Sequence, residues 1–316
     1  MSDAFADQLT RTMAVGSKSF ATAAKLFDAR TRRSTLMLYA WCRHCDDVID
    51  GQTLGFADPV AAGDSAEARL LRLQTLTRRA CAGESMSEPA FIAFQQVAQR
   101  HAIPQQQAFD HLEGFAMDVR DTHYKTFADT LRYCYHVAGV VGLMMARVMG
   151  VRDESVLDRA CDLGLAFQLT NIARDIVEDA QAGRCYLPQE WLAEEGMRAA
   201  DIIDPTYREN LARLAQRLVA QAEPYYASAR AGLTGLPLRS AWAIASAHGV
   251  YREIGVKVSA AGARAWDTRQ GTSRVEKVGL LIKGAALALS SRVENPPPRS
   301  PELWQRPRRK SGHAKL

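Results

Sequence analysis

Between Pro104 and Pro188 the chain carries no proline, and the stretch is filled by Ala, Leu, Met, Gln and Arg rather than alternating β-branched residues. A proline-free run of strong helix formers this long confines the middle of the chain to helices. Segments 6–27, 33–50, 65–81, 88–101, 206–230, 238–263 and 273–290 also repeat their apolar residues at a period of 3.6 rather than 2. Glycine and proline cluster at 51–63, 183–205 and 232–237, where helices should stop. None of these breaks is long enough to require a domain boundary. The expectation is an all-α fold of about ten helices in a single domain over residues 1–291, without a fixed internal repeat, followed by a Pro-rich basic tail at 292–316.

The composition, 47% hydrophobic and 24% charged, excludes disordered, collagenous and disulfide-scaffold classes. The formal charge of +5 suggests nucleic-acid binding until it is located. Residues 292–316 hold seven Lys/Arg and two acids, so the rest of the chain is net neutral. With no zinc-finger, RNP or basic-helix pattern, no nucleic-acid partner is expected. The tail reads as an extended, solvated arm, with contact to anionic lipid headgroups as the alternative.

The first ten residues, MSDAFADQLT, lack the basic-then-apolar pattern of a secretory signal. The longest uncharged run, Tyr133 to Ala146, has 14 residues, short of what a bilayer requires. A cytoplasmic protein is expected, in at most peripheral contact with a membrane. Six cysteines lie in apolar segments, which fits reduced, packed thiols. Cys42 and Cys45 form a CxxC, but no second CxxC or HxxxH completes a zinc site.

Two acidic helical faces carry the chemistry. At 100° per residue, Tyr39, Arg43, Asp46 and Asp50 fall in a stripe about 60° wide. Leu36, Met37, Leu38, Trp41 and Cys42 around them predict a largely buried helix, where acids need partners. Gln168, Asn171, Asp175 and Asp179 fall likewise within an arc of about 80°. On exposed helices such i,i+4 acid pairs cost only about 0.2–0.5 kcal/mol, so solvated or ion-paired faces are one reading. In a partly buried site two carboxylates about 4 Å apart repel by roughly 4 kcal/mol, and cations are required. Oxygen ligands without His or Cys select Mg²⁺ or Mn²⁺, which bind through a few carboxylates and substrate phosphate oxygens. Together these point to a diphosphate leaving group, a carbocation and a hydrocarbon held by apolar helices.

Other enzyme classes find no support. Gly16-Ser-Lys18-Ser19 imitates the end of a P-loop, but Arg11 stands where its first glycine should be. GxGxxG, GxSxG and HExxH do not occur.

The motifs Ser17-Lys-Ser19-Phe20, Tyr39 to Asp50, Tyr133 to Gly142, Gln168 to Asp175 and Gly183-Arg184-Cys-Tyr186-Leu-Pro188, in this order, resemble the squalene/phytoene synthase family. The likeness runs over about residues 10–290 and is strongest to the bacterial, phytoene-forming members. It implies an all-α isoprenoid-synthase fold with a central cavity, dependent on Mg²⁺ (or Mn²⁺). By this resemblance Asp46, Asp47 and Asp50 match the first Asp-rich motif, and Asn171, Asp175 and Asp179 the second. Ser19, Arg43, Tyr251 and Arg269 match diphosphate-contacting positions, and Arg174 lies within the second motif. Gln168 and Tyr135 are expected to line the cavity, where ring faces such as Phe20 or Tyr39 also stabilise a cation. Gly51 departs from the common pattern, in which an acid often follows the first motif.

The family reaction implies two steps on a prenyl diphosphate substrate. One geranylgeranyl diphosphate ionises and its C1 cation is captured by the double bond of a second, giving a cyclopropyl diphosphate. That intermediate ionises, rearranges and loses a proton to give phytoene, the first committed step of carotenoid synthesis. No NADPH is expected, since reductive quenching belongs to the squalene-forming branch. Two alternatives remain: a dehydrosqualene- or squalene-type synthase using farnesyl diphosphate, and a non-catalytic assembly scaffold of the same fold.

Overall fold

The computed structural model describes residues 23–53, 56–57 and 64–308. The chain forms α1 (Ala29–Asp50), α2 (Ala66–Ala82), α3 (Pro89–His101), α4 (Gln105–Val119) and α5 (Phe127–Cys134). A π-helical turn (Tyr135–Gly139) leads without a break into α6 (Val140–Val148). Then come α7 (Glu154–Gln181), α8 (Gln189–Glu194), α9 (Arg208–Ala231), α10 (Leu238–Ala261) and α11 (Arg274–Ser290). Among the described residues the one departure from an all-helical reading is a two-residue antiparallel ladder, β1 (Gln52–Thr53) with β2 (Phe56–Ala57), in the 51–63 break.

Local chemistry sets the ends. Asp28 caps α1 by accepting from the backbone N–H groups of Arg30 and Thr31, and Gly51 closes it at φ 64°. A side chain at position 51 would be strained in that left-handed conformation. Glycine therefore stops the helix one residue after Asp50.

The long central helix α7 packs against α6 and α9. Its approach to α6 and the π-turn is backbone on backbone. A Cβ on Gly164 would meet the Ala138 carbonyl oxygen at 2.4 Å, and one on Gly142 the Ala160 carbonyl oxygen at 2.3 Å. Two glycines thus bring the helices together at a distance that any side chain would forbid.

The tail differs from expectation. Residues 292–308 run along the body rather than away from it, anchored by Arg292, Arg299, Leu303 and Arg306 while most of the segment stays exposed. Glu154, Asp158 and Asp162 recur every four residues along α7, and the tail arginines meet them. Arg299 makes a two-pronged contact with buried Asp162, Nε to Oδ2 at 2.8 Å and Nη2 to Oδ1 at 2.7 Å. Arg306 pairs with Asp158 and Glu154, and Arg308 with Asp158. The Trp304 N–H donates to the Tyr225 hydroxyl oxygen at 3.2 Å. Much of the basic excess is neutralised within the fold, and these arginines are occupied.

Candidate active site

A cavity of about 290 Å³ lies beside α7. Val156, Arg159, Ala160, Leu163, Phe167 and Asn171 line it from α7 at helical spacing, with Gln168 beside Asn171. Val137, Val141, Met145 and Met149, each four residues from the last, form the facing wall on the π-turn and α6. Tyr39 of α1 and Tyr251 of α10 complete the end near Asn171. Tyr251 stacks on Phe167 with ring centroids 4.1 Å apart, so two ring faces lie together at that end. Burial pushes the Tyr39 phenol up to about 12, keeping it a neutral hydroxyl.

The acids stand beyond this end of the cavity. On α1, Arg43 donates to Asp46 at 3.0 Å and to Asp47 at 2.6 Å. Asp47 is buried against that guanidinium, off the stripe that Asp46 and Asp50 share. On α7, Asp175 accepts from Arg174 at 2.8 Å and from Arg269 at 3.1 Å. Asn171 donates to Gln168 at 3.3 Å. For the Asp179 carboxylate no hydrogen-bond or ion-pair partner stands among the described residues.

Arg184 joins the two sets. It follows α7, and its Nη2 donates to Asp50 Oδ1 on α1 at 2.6 Å. Its positive field also opposes protonation of Asp46 and Asp179, so one guanidinium lies within electrostatic reach of both helices' acids. Burial works against the charge of Arg184 itself. The hydrogen bond it donates to Asp50 and the fields of Tyr186, Asp50 and Asp118 override it and hold the guanidinium charged.

The carboxylates are short of positive charge despite these arginines. Asp46 is pushed up to about 6, first by desolvation and then by the field of Asp50. Asp179 is pushed up to about 7, first by desolvation and then by Asp175. Asp118 of α4, which accepts from Tyr133 and Tyr186 at 3.2 Å each, is also pushed up to about 6, chiefly by burial. Desolvated, mutually repelling oxygen donors are the donor set that suits a hard divalent cation. Among the described residues no three His, Cys, Asp or Glu side chains stand close enough to form an all-protein cage. Mg²⁺ characteristically takes only one or two carboxylates and completes its shell with water and phosphate oxygens.

Of the residues expected from sequence, Tyr39, Gln168, Asn171 and Tyr251 line the cavity, while Arg43, Asp46, Asp50, Arg174, Asp175 and Arg269 lie in the ion pairs described above. Ser19 and Phe20 lie outside the described residues. Tyr135 requires a correction, because it does not line the cavity. Its hydroxyl donates to Asp110 at 2.7 Å and its ring lies 5.4 Å from Trp304 of the tail. The π-turn starting at Tyr135 shifts the helical register and presents Val137 and Ala138 to the cavity instead. Sequence reasoning assigned no role to Arg184, Asp118 or Phe167. Arg184 and Phe167 stand in or beside quoted motifs, but for Asp118 only its acidic side chain on an apolar helix gave a signal.

An all-helical fold with a lipid-sized hollow and two acidic helix ends defines the isoprenoid-synthase class. The squalene/phytoene synthase family model matches residues 13–277. A 15-cis-phytoene synthase of Pantoea ananas is 66% identical over 94% of this chain and 96% of its own. The 15-cis-phytoene synthase of Enterobacter agglomerans is also 66% identical, over 93% of this chain and all of its own. A crystal structure of a dehydrosqualene synthase with a ligand superimposes at a TM-score of 0.81, with 28% identity over 91% of this chain and 97% of that one. The chain belongs to the squalene/phytoene synthase family. Dependence on a divalent metal is general to that family.

Proposed function

We propose that this chain joins two geranylgeranyl diphosphates head to head, through a cyclopropyl diphosphate, to make phytoene. The observation that carries the choice of substrate is the length of the cavity stripe on α7. From Asn171 to Val156 the helix rises about 22 Å at 1.5 Å per residue. An extended C20 prenyl chain spans about 19 Å on carbon–carbon bonds of ~1.5 Å, and a C15 chain only about 14 Å. The C20 chain fills the stripe, whereas farnesyl diphosphate would leave its far end empty. Relatives named 15-cis-phytoene synthase at 66% identity support the same reading.

In this reading the diphosphate sits at the acidic end. Asp46, Asp50, Asn171, Asp175 and Asp179 would hold Mg²⁺ or Mn²⁺, which when bound supplies positive charge to the departing diphosphate. Arg269, on the loop before α11, and Arg174 already bind Asp175, so they are placed to orient an anion there. The ring faces of Phe167 and Tyr251 and the neutral Tyr39 flank the start of the hydrocarbon path and favour cationic carbon. The apolar walls of α6 and α7 exclude water, which would otherwise trap the cation as an alcohol.

The test supplies purified protein with a divalent cation and either C15 or C20 diphosphate, without NADPH. The expected result is diphosphate release and a C40 hydrocarbon with a conjugated triene at its centre, with kcat/KM on C20 at least tenfold above that on C15, since a single methylene of mismatch is worth ~10–200-fold. A C30 product formed preferentially, or unreacted C20 substrate, would overturn the reading.

A product this apolar has to leave into lipid, and α11 offers a surface for it. Val275, Val278, Ile282 and Leu289 lie within an arc of about 60° on α11 and are exposed, Val275 at 82%. Arg274 and Lys283 flank that stripe. An exposed apolar stripe between cations fits the surface of an anionic bilayer, entered from the side rather than crossed. Among the described residues no helix is long and apolar enough to cross a membrane. Ile282→Glu is expected to lower co-sedimentation with phosphatidylglycerol-containing vesicles several-fold while leaving turnover of detergent-dispersed substrate intact. Unaltered vesicle binding would exclude this face.

A further inference from the structure

Arg159 separates two cavities. Its stem lines the far end of the hydrocarbon cavity with Met149, Val156, Gly232 and Leu236. On its other side lies a second cleft, about 410 Å³, between α7, α9 and the C-terminal segment. Tyr225, Ser228, Pro297, Arg299 and Leu303 line that cleft together with Arg159.

The side chain is buried, and carbonyls hold its charged end. Nη1 donates to the Ser228 carbonyl oxygen at 3.0 Å, and Nη2 to the Pro297 carbonyl oxygen in the tail. Burying a guanidinium with carbonyl acceptors, even within the fields of Asp162 and Asp158, is a costly way to build a mere apolar wall, which a leucine would provide without desolvating a charge. An arginine adds a stem that closes the cavity and a head that is tied from behind. The tie is itself clamped, because the strand of tail bearing Pro297 is fixed by Arg299 on Asp162. Arg292, at the tail's start, donates to the carbonyls of Leu233 and Leu236, holding the turn that closes the floor beside Arg159. Gly232 in that turn lies against the Arg159 stem, where an added Cβ would come within 2.9 Å.

We propose that Arg159, tethered by the C-terminal segment, is the floor of the prenyl cavity and sets the longest chain the enzyme accepts. This rests on the reading above, in which the hydrocarbon runs along α7 from the acidic end. From Asn171 to Arg159 the helix rises about 18 Å, so a C20 chain of about 19 Å just reaches the floor, and a C25 chain of about 24 Å collides with it. Removing the Arg159 side chain would join the two cavities and lengthen the path.

The experiment measures kcat and KM on C15, C20 and C25 prenyl diphosphates. Wild type should prefer C20 over C25 at least tenfold in kcat/KM, and Arg159→Ala should raise the C25/C20 ratio at least tenfold, mainly through KM. Arg159→Met, which keeps a stem of similar length, should leave the ratio close to wild type. Ala229→Leu, which adds bulk at the same end without disturbing the tether, should raise the C15/C20 ratio and keeps the proposal testable should Arg159→Ala not fold. If wild type converts C20 but neither change in the floor moves its ratio more than twofold, the floor is elsewhere. Wild type that fails on C20 would overturn the substrate reading, and this inference with it.

Discussion

Asp46→Asn and Asp175→Asn are each expected to lower turnover at least 10²-fold, the usual scale for losing a preorganised electrostatic contact to developing charge. The two acids sit on helices far apart in sequence, and nothing but a shared anion and its cations requires both. Asn keeps the shape and removes the charge, so packing around α1 and α7 should survive. Asp46→Asn leaves Arg43 bound to Asp47, and Asp175→Asn takes the carboxylate from Arg174 and leaves Arg269 only its longer ion pair with Glu178 at 3.9 Å. The second variant should therefore also show a raised KM, because a freed Arg174 and a loosened Arg269 near the diphosphate change how it is oriented. Turnover within threefold of wild type in either variant, with folding verified, would refute the assigned roles.

Acidification is expected to abolish activity over a window set by the same carboxylates. Asp179 is pushed up to about 7 and Asp46 to about 6, so below that range each holds a proton and no longer attracts a cation. At subsaturating Mg²⁺, kcat/KM should fall more than tenfold between about pH 7.5 and about pH 5.5, since kcat/KM reports groups of the free enzyme. Raising Mg²⁺ should move the acid limb to lower pH. For stability the sign is opposite. A carboxyl whose folded pKa is raised binds its proton more tightly when folded, so its contribution is greatest below the ordinary value of 3.8 and is lost as pH rises to about 7. Asp179→Asn should therefore raise the melting temperature of the metal-free protein at about pH 8, with the gain vanishing near pH 4. A flat pH profile between 5.5 and 7.5, or an unstabilised Asp179→Asn at pH 8, would show that these carboxylates are not starved of positive charge.

Most of the helices can be read from periodicity because apolar stripes and punctuation agree. The segment at 33–50 is α1 to within a few residues at its start, and those at 65–81, 88–101 and 273–290 match α2, α3 and α11 within one. The acidic stripes follow from arithmetic on a helix, so their shared faces were visible before any coordinates. Three features were not. The π-turn at Tyr135 adds one residue to a helical repeat, and no residue type announces that shift; Tyr135, expected at the cavity from the family resemblance, packs against Asp110 and Trp304 instead. The tail was read as solvated because proline and arginine usually are; its partners, Asp158 and Asp162, lie more than a hundred residues away on the back of α7. Arg184 lies past the end of α7, beyond helical periodicity, and its contact with Asp50 spans 134 residues. Long-range charge pairing is set by the packing of helices, which local patterns do not encode.

The central claim is that acids from α1 and α7 serve one anion site. The direct measurement is calorimetric binding of inorganic diphosphate in the presence of Mg²⁺ to wild type, Asp46→Asn, Asp175→Asn and the double variant. Each single change should weaken binding, and the double variant should fall short of the summed losses by about 0.5–3 kcal/mol, the coupling expected of groups acting on one ligand. Losses that simply add, or binding untouched by either change, would mean the two helices hold separate sites or none.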